Sequence, residues 1–350
     1  MIKNDEDYAI VIGIDKYPQL SVLHSARRDA VDFSQWLLSD EGGGLKNEHV
    51  SLLNGPPSTP KNPNLSKPLK EHIDEELKKF GYHGEERIGR RLYFFFSGHG
   101  FSHQNGDVGM LMINGSKNSL NYHISFRNYY QHFYNSICFD EFVFILDCCR
   151  NIYLGANINM QSPPCTPTVS EPGKTRGFSM LSTSYGKEAY GYKSSEGCEC
   201  YGLGTRAVLE GLRGKAVNNF NKVTSKSLRD YVEERVPELA NNIKKEQIPK
   251  AVKDGPDIIF CEFPSGFIPP LLVYVYVKTP IVGDLLLFSD SDNGKVSRTY
   301  PAEDATETNP WILELSRSNN VYWVENAQSD CRKQILTASI VEEPHIVELD

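Results

Sequence analysis

Basic residues are in the minority in this chain of 350 residues: Lys and Arg number 37 against 45 Asp and Glu, for a net charge of -8. A phosphate backbone is held by clustered cations, so this balance argues against a nucleic-acid partner. Long apolar runs are missing too. The longest candidate, PPLLVYVYVKTP from Pro269 to Pro280, holds seven apolar residues between Pro270 and Lys278. A membrane-crossing helix needs about 20, so this run reads as a strand. The opening MIKNDEDYAIVIG carries acids where a secretory leader carries basic residues, and it has no small-residue cleavage site. No membrane partner is expected, and the expected location is cytoplasmic, with reduced thiols. Cysteine occurs eight times but in no disulfide or metal pattern: Cys138, Cys165, Cys261 and Cys331 are scattered, Cys148 and Cys149 adjacent, Cys198 and Cys200 one residue apart. Paired zinc ligands usually stand two to four residues apart, so no metal is expected. Internal repeats and low-complexity tracts are absent, which excludes a repeat architecture.

What the chain does have is alternation. Over residues 1–263, apolar strand-like runs alternate with amphipathic stretches. YAIVIGID (Tyr8 to Asp15) reads as a buried strand, followed by a helix from His24 to Leu38 with Ala26, Ala30, Phe33 and Leu37 on one face. VSLLNG is the next strand, and Ser66 is placed to cap a helix carrying Leu69, Ile73, Leu77 and Phe80 on one side. A hairpin around GMLMING and an aromatic helix from Ser125 to Ile137 come next. GFSMLSTS is a strand, Leu203 to Leu212 a short helix, and Thr224 caps a helix that meets Pro237. DIIFCEF (Asp257 to Phe263) closes the series. Near-continuous apolar strands alternating with helices predict a mostly parallel sheet covered on both faces. Ligand sites in such sheets lie outside the carboxyl ends of the strands. After PSGFIPP the texture changes to short β-rich segments, which predicts a small antiparallel sandwich over residues 264–350. Trp311, Tyr322, Trp323 and Tyr300 are read as its core.

Two strand-like segments end in reactive side chains. RLYFFFSGHG delivers His99, and FVFILDCCR delivers Cys148 and Cys149. A thiol and an imidazole at the tips of two buried strands meet only if those strands are parallel and close, an arrangement that gives a cysteine nucleophile with a histidine base. Neighbouring strand residues point to opposite faces, so Cys148 and Cys149 cannot both aim at His99 while the strand lasts.

YAIVIGIDKY, SARRDAVDF, YFFFSGHG and FILDCCRN, in that order, resemble the caspase-like peptidase superfamily, nearest to the metacaspases and their prokaryotic relatives. Weaker echoes follow at LSTSYGKEA and GLGTRAVLEGL. The resemblance implies a three-layer sandwich with a sheet of about six strands. It assigns the nucleophile to Cys149, through Asp147-x-Cys149, and the base to His99. It implies an oxyanion hole from the backbone N–H groups of Gly100 and Cys149, and a substrate pocket lined by Asp29, Ser97 and Asp147. Two carboxylates in a partly dry pocket hold an Arg or Lys side chain, so the expected substrates are proteins or peptides cut after a basic residue. Arg27 and Arg28 are expected to be solvated. A silent scaffold and a peptidase cutting after Asp are the alternatives.

Many metacaspases bind calcium through Asp-rich segments after the histidine, but FSHQNGDVGM offers only Asp107 there. SDSDNG (Ser289 to Gly294) lacks a downstream glutamate and reads as a turn, so no cofactor is expected. The long segment from Asn151 to Arg176 is expected to be an activation loop cut by the enzyme itself or by an upstream protease, with Arg150, Lys174 and Arg176 as candidate processing sites. A regulatory protein is a further expected partner.

Overall fold

The computed structural model describes the chain except residues 1–3, 104–106, 153–157, 170–173, 194–198, 279–281, 290–294, 307–310, 318–320, 329–331, 338–344 and 350. Cys198, Cys331 and SDSDNG beyond Ser289 lie outside the described residues. The chain divides into two compact units, residues 1–263 and 264–350.

Six strands form the central sheet of the first unit: β1 (Asp7–Gly13), β2 (Val50–Asn54), β3 (Gly89–Ser97), β4 (Phe139–Asp147), β5 (Arg176–Leu181) and β6 (Lys250–Asp254). Their order is β6-β5-β4-β3-β1-β2. The first five are parallel and β6 is an antiparallel edge. Leu92 to Phe96 of β3 are at most 1% exposed, which requires cover on both faces. On one face Phe94, Phe96 and Phe144 pack against Ile73 and Leu77 of α2 (Lys70–Lys79) and Tyr129 and Phe133 of α3 (Phe126–Tyr134). On the other, Phe33 of α1 (Ala26–Leu38) stacks on Phe95 at 4.6 Å and Trp36 meets Tyr93 edge-on at 6.2 Å. α4 (Leu203–Glu210) contacts α1, and α5 (Ser225–Asn242) contacts α4. This is the expected three-layer caspase-like arrangement.

Three local readings are corrected. DIIFCEF does not close the sheet: Ile259–Glu262 pairs antiparallel with Lys222–Thr224 in a separate two-stranded ribbon. The sixth place belongs to KAVKD, a solvated edge whose charges carry no apolar signature and discourage further pairing. Ser66 caps no helix; its hydroxyl donates to the Asn62 carbonyl at 3.0 Å, and α2 begins only at Lys70. Finally, α5 runs through Pro237 to Asn242. An interior proline costs about 3 kcal/mol. Leu228, Val232, Val236 and Leu239 are buried along the same helix, at about 1.5–3 kcal/mol each, so packing wins. Its start is as expected: Thr224 Oγ1 accepts from Ser227 N at 3.2 Å and Ser227 Oγ accepts from Thr224 N at 2.9 Å.

The second unit has two sheets that bury one core. Leu271–Val277 lies between Trp311–Leu315 and His345–Leu349, and the other sheet holds Val296–Pro301, Asp284–Ser289, Val321–Asn326 and Arg332–Leu336. The pairing of Leu271–Val277 with His345–Leu349 is parallel, so the sheets are not purely antiparallel. Trp311 and Tyr322 are core, with Tyr300 packed against it. Trp323 is not. Strand alternation turns it to the opposite face from Tyr322 and Val324, where the Arg332 guanidinium lies 5.2 Å from its ring centre.

Candidate active site

β3 and β4 are neighbours, with Ser97 opposite Asp147 and the Gly98 N–H donating to the Asp147 carbonyl at 3.2 Å. Both strands then break. Where pairing resumes, Phe101 stands opposite Asn151. Asp147 follows Ser97 by fifty residues and Asn151 follows Phe101 by fifty, so the register is kept across the break. His99 and Cys149 therefore leave the same end of the sheet at one level, from strands about 4.8 Å apart. Both line a cavity of about 460 Å³, together with Ser97, Asp147, Tyr190 and Gly202.

His99 is held from two sides. Its backbone N–H donates to the Tyr17 hydroxyl at 3.2 Å, and that hydroxyl donates to the Leu111 carbonyl at 3.0 Å. Its Nε2 lies 2.7 Å from the Ser21 carbonyl. A carbonyl only accepts, so Nε2 carries the proton and Nδ1 keeps its lone pair. Burial lowers the imidazole pKa, with Lys117 adding to the effect and the Ser21 carbonyl opposing it.

The two cysteines part company. Cys148 is 3% exposed and belongs to the hydrophobic core; burial, Cys149 and Asp147 push its thiol far above the ordinary range. Cys149 is half-buried at the cavity, where its sulfur accepts from the Ala189 N–H at 3.4 Å. Burial raises the Cys149 pKa as well, the Ala189 peptide works against it, and Glu188 and Asp147 add to it. Both shifts favour the uncharged forms, the Cys149 thiol and the neutral His99 imidazole. Gly100 makes this geometry fit: a Cβ there would lie 2.6 Å from Cys148 Sγ and 2.8 Å from the Cys149 carbonyl. The Leu111 N–H donates to the His99 carbonyl, and the alternation of an antiparallel ladder then turns the Gly100 amide toward the strand bearing Cys149.

Beneath the cavity two carboxylates converge. Asp29 from α1 is 1% exposed and Asp147 from the end of β4 is 6% exposed. Asp29 accepts from Ser97 Oγ and from the Gly202 N–H, each at 2.9 Å. Asp147 accepts from Thr205 N at 2.7 Å and Thr205 Oγ1 at 2.8 Å. Gly202 lies between them, and a Cβ there would collide with Asp147 Oδ2 and come within 2.9 Å of Asp29 Oδ2. Burial raises both carboxyl pKa values, and at Asp29 the charge of Asp147 adds to that. Among the described residues, the donors to this buried pair of acids are neutral: the Ser97 hydroxyl, the Gly202 N–H, and the N–H and hydroxyl of Thr205.

Sequence reasoning named His99, Cys149, Gly100, Asp29, Ser97 and Asp147, and the structure brings them to this one end of the sheet. It missed Ser21 and Ala189, which act through backbone groups that no side-chain pattern reveals. Gly202 and Thr205 were legible only as the GLGT of a weaker echo. Arg28 is buried at 3% exposure, against the expectation that it is solvated. The processing candidates separate. Arg150 is 7% exposed and donates to the Thr183 carbonyl at 3.2 Å. Arg176 opens β5 and pairs with Glu141, so neither offers an accessible bond. Lys174 is exposed. Asp107 is committed to protein donors: Val108 N at 2.7 Å, Arg127 N at 2.8 Å and Ser125 Oγ at 2.7 Å. It thereby anchors the start of α3. Among the described residues no helix is long and apolar enough to cross a membrane.

A family profile for the caspase domain matches residues 6–255. A probable protease from a Desulfuromonadales bacterium is 26% identical over 274 residues, covering 71% of this chain and 32% of that protein. The chain thus spans about a third of that relative's length. Two solved structures are similar. Caspase-1 from Spodoptera frugiperda has 14% identity and a TM-score of 0.48, over 76% of this chain and 93% of that one. A Geobacter sulfurreducens protein has 12% identity and a TM-score of 0.46, over 72% and 94%.

Proposed function

From the premise that this chain belongs to the caspase-domain family, we propose that it is a cysteine endopeptidase that cuts peptide bonds after Arg or Lys. The single observation that carries the specificity is the convergence of Asp29 and Asp147 at Gly202, under the cavity lined by His99 and Cys149. A cation entering between them relieves the repulsion that burial makes costly, whereas an aspartate side chain would add a third anion. Nδ1 of His99 takes the thiol proton as sulfur attacks the scissile carbonyl, and later returns it to the leaving amine. The developing oxyanion is met by the amides of Gly100 and Cys149. The described free cysteines suit a reducing, cytoplasmic setting. Control by proteolytic processing centres on Lys174, and no cofactor is invoked.

A fluorogenic panel with Arg, Lys or Asp before the bond, assayed with and without calcium, tests this reading. Arg and Lys peptides are expected to turn over. Cys149→Ala should abolish cleavage, and Cys148→Ala should keep most of it. Preference for Asp, or no cleavage of any peptide, would overturn the proposal; equal loss from both cysteine variants would overturn the assignment of the nucleophile.

A further inference from the structure

The cavity beside Cys149 is lined by an acid, Asp147, and by a cation, Lys245. Its lining includes Ile243 and Lys245, from the turn that ends α5. That turn is tightly specified. The Lys245 N–H donates to the Ala240 carbonyl and the Lys244 N–H to the Asn241 carbonyl, each at 2.9 Å, the paired bonds of a Schellman helix end. Lys244 adopts φ 57°, a left-handed conformation that glycine usually fills and that strains a lysine. Gln247, 1% exposed, fixes the exit: its Nε2 donates to the Ser182 carbonyl at 2.8 Å, and its Oε1 accepts from the Tyr190 N–H at 2.7 Å. A turn fixed at both ends delivers Lys245 to the cavity wall, with its ammonium 5.1 Å from the centre of the Tyr190 ring. Among the described residues no carboxylate pairs with that ammonium. The adjacent Glu246 is engaged with Lys187 at 3.5 Å.

We propose that Lys245 forms a second subsite, one that selects substrates carrying an acidic side chain shortly before the basic residue at the cut. The inference rests on the basic-residue reading of Asp29 and Asp147. A ring face beneath the ammonium positions it without neutralising it, so the charge remains available to a peptide laid along the cavity. A substrate with further basic residues would meet repulsion there, and one with an acidic residue attraction. Lys245 is exposed, so the effect is moderate and salt-sensitive.

The test is a peptide set with Arg fixed before the bond and Glu, Gln or Lys placed in turn at each of the three preceding positions. At one position Glu should exceed Lys in kcat/KM by about three- to tenfold at low salt, and the ratio should shrink toward one at high salt. Lys245→Arg should keep the ratio, Lys245→Gln should erase it, and Lys245→Glu should invert it. A wild-type enzyme indifferent to Glu, Gln and Lys at all three positions, or a ranking unchanged in Lys245→Glu, overturns the subsite while leaving cleavage after Arg intact. If no peptide with Arg before the bond is cut, the basic-residue reading falls and the subsite falls with it.

Discussion

Asp29, proposed to bind substrate, is a buried carboxyl beside a second one. Its carboxyl is raised well above the ordinary value, first by burial and then by the charge of Asp147. The unfolded chain, with ordinary carboxyls, releases these protons at lower pH than the folded one. Between the two ranges the folded state holds more protons, so stability falls as pH rises from the ordinary carboxylate range through the raised one. Asp29→Asn removes the titration, and an amide can still accept from the Gly202 N–H. The variant is expected to melt higher than the parent at neutral pH, by roughly 2–4 °C per kcal/mol of relieved repulsion, while losing most cleavage of Arg peptides. Calorimetry beside kinetics checks both halves. A lower melting temperature together with unchanged kinetics would show that the carboxylate is a structural acceptor and no more.

At the scale of elements, the sequence was legible where strands are buried on both sides. β1, β3 and β4 carry continuous apolar runs at Tyr8–Ile12, Leu92–Phe96 and Phe142–Leu146, and the shared register that brings His99 level with Cys149 follows from two such strands lying side by side. It was illegible where an element borrows its reason from elsewhere. KAVKD is a strand only because β5 offers it an edge. The proline in α5 is tolerated only because of the helix's buried stripe. The Ser21 carbonyl reaches His99 from a stretch without regular structure, and nothing in the identity of Ser21 announces it. Between β4 and β5, described residues of a segment rich in proline are tied to the rest of the unit by hydrogen bonds. Asn159 N donates to Asn121 Oδ1 at 2.9 Å, Asn128 Nδ2 to the Met160 carbonyl at 3.0 Å, and Thr168 N to the Gly84 carbonyl at 2.5 Å. Exposure along this stretch predicts where it is cut. Brief trypsin treatment of the native protein should cleave after Lys174 well before Arg150 or Arg176, as read by intact-mass spectrometry. A first cut after Arg150 would contradict the placement of its buried side chain.

Across the whole molecule, each unit has its own hydrophobic core, and every residue lining the cavity lies between Leu23 and Lys245, within the first unit. The chemistry proposed for the chain therefore belongs to residues 1–263. The parallel sheet places thiol and imidazole at one end, α1 and the end of β4 supply the acids beneath them, and the α4 start keeps those acids in place through Gly202 and Thr205. The central claim is that this end of the sheet cuts polypeptides after a cationic side chain. The most direct measurement is to digest a mixed pool of unfolded polypeptides with the full chain and identify every new C-terminus by mass spectrometry, with the Cys149→Ala chain as the blank. The expected result is new C-termini ending in Arg and Lys that the Cys149→Ala digest lacks; termini ending in Asp, or identical termini from both chains, would contradict it.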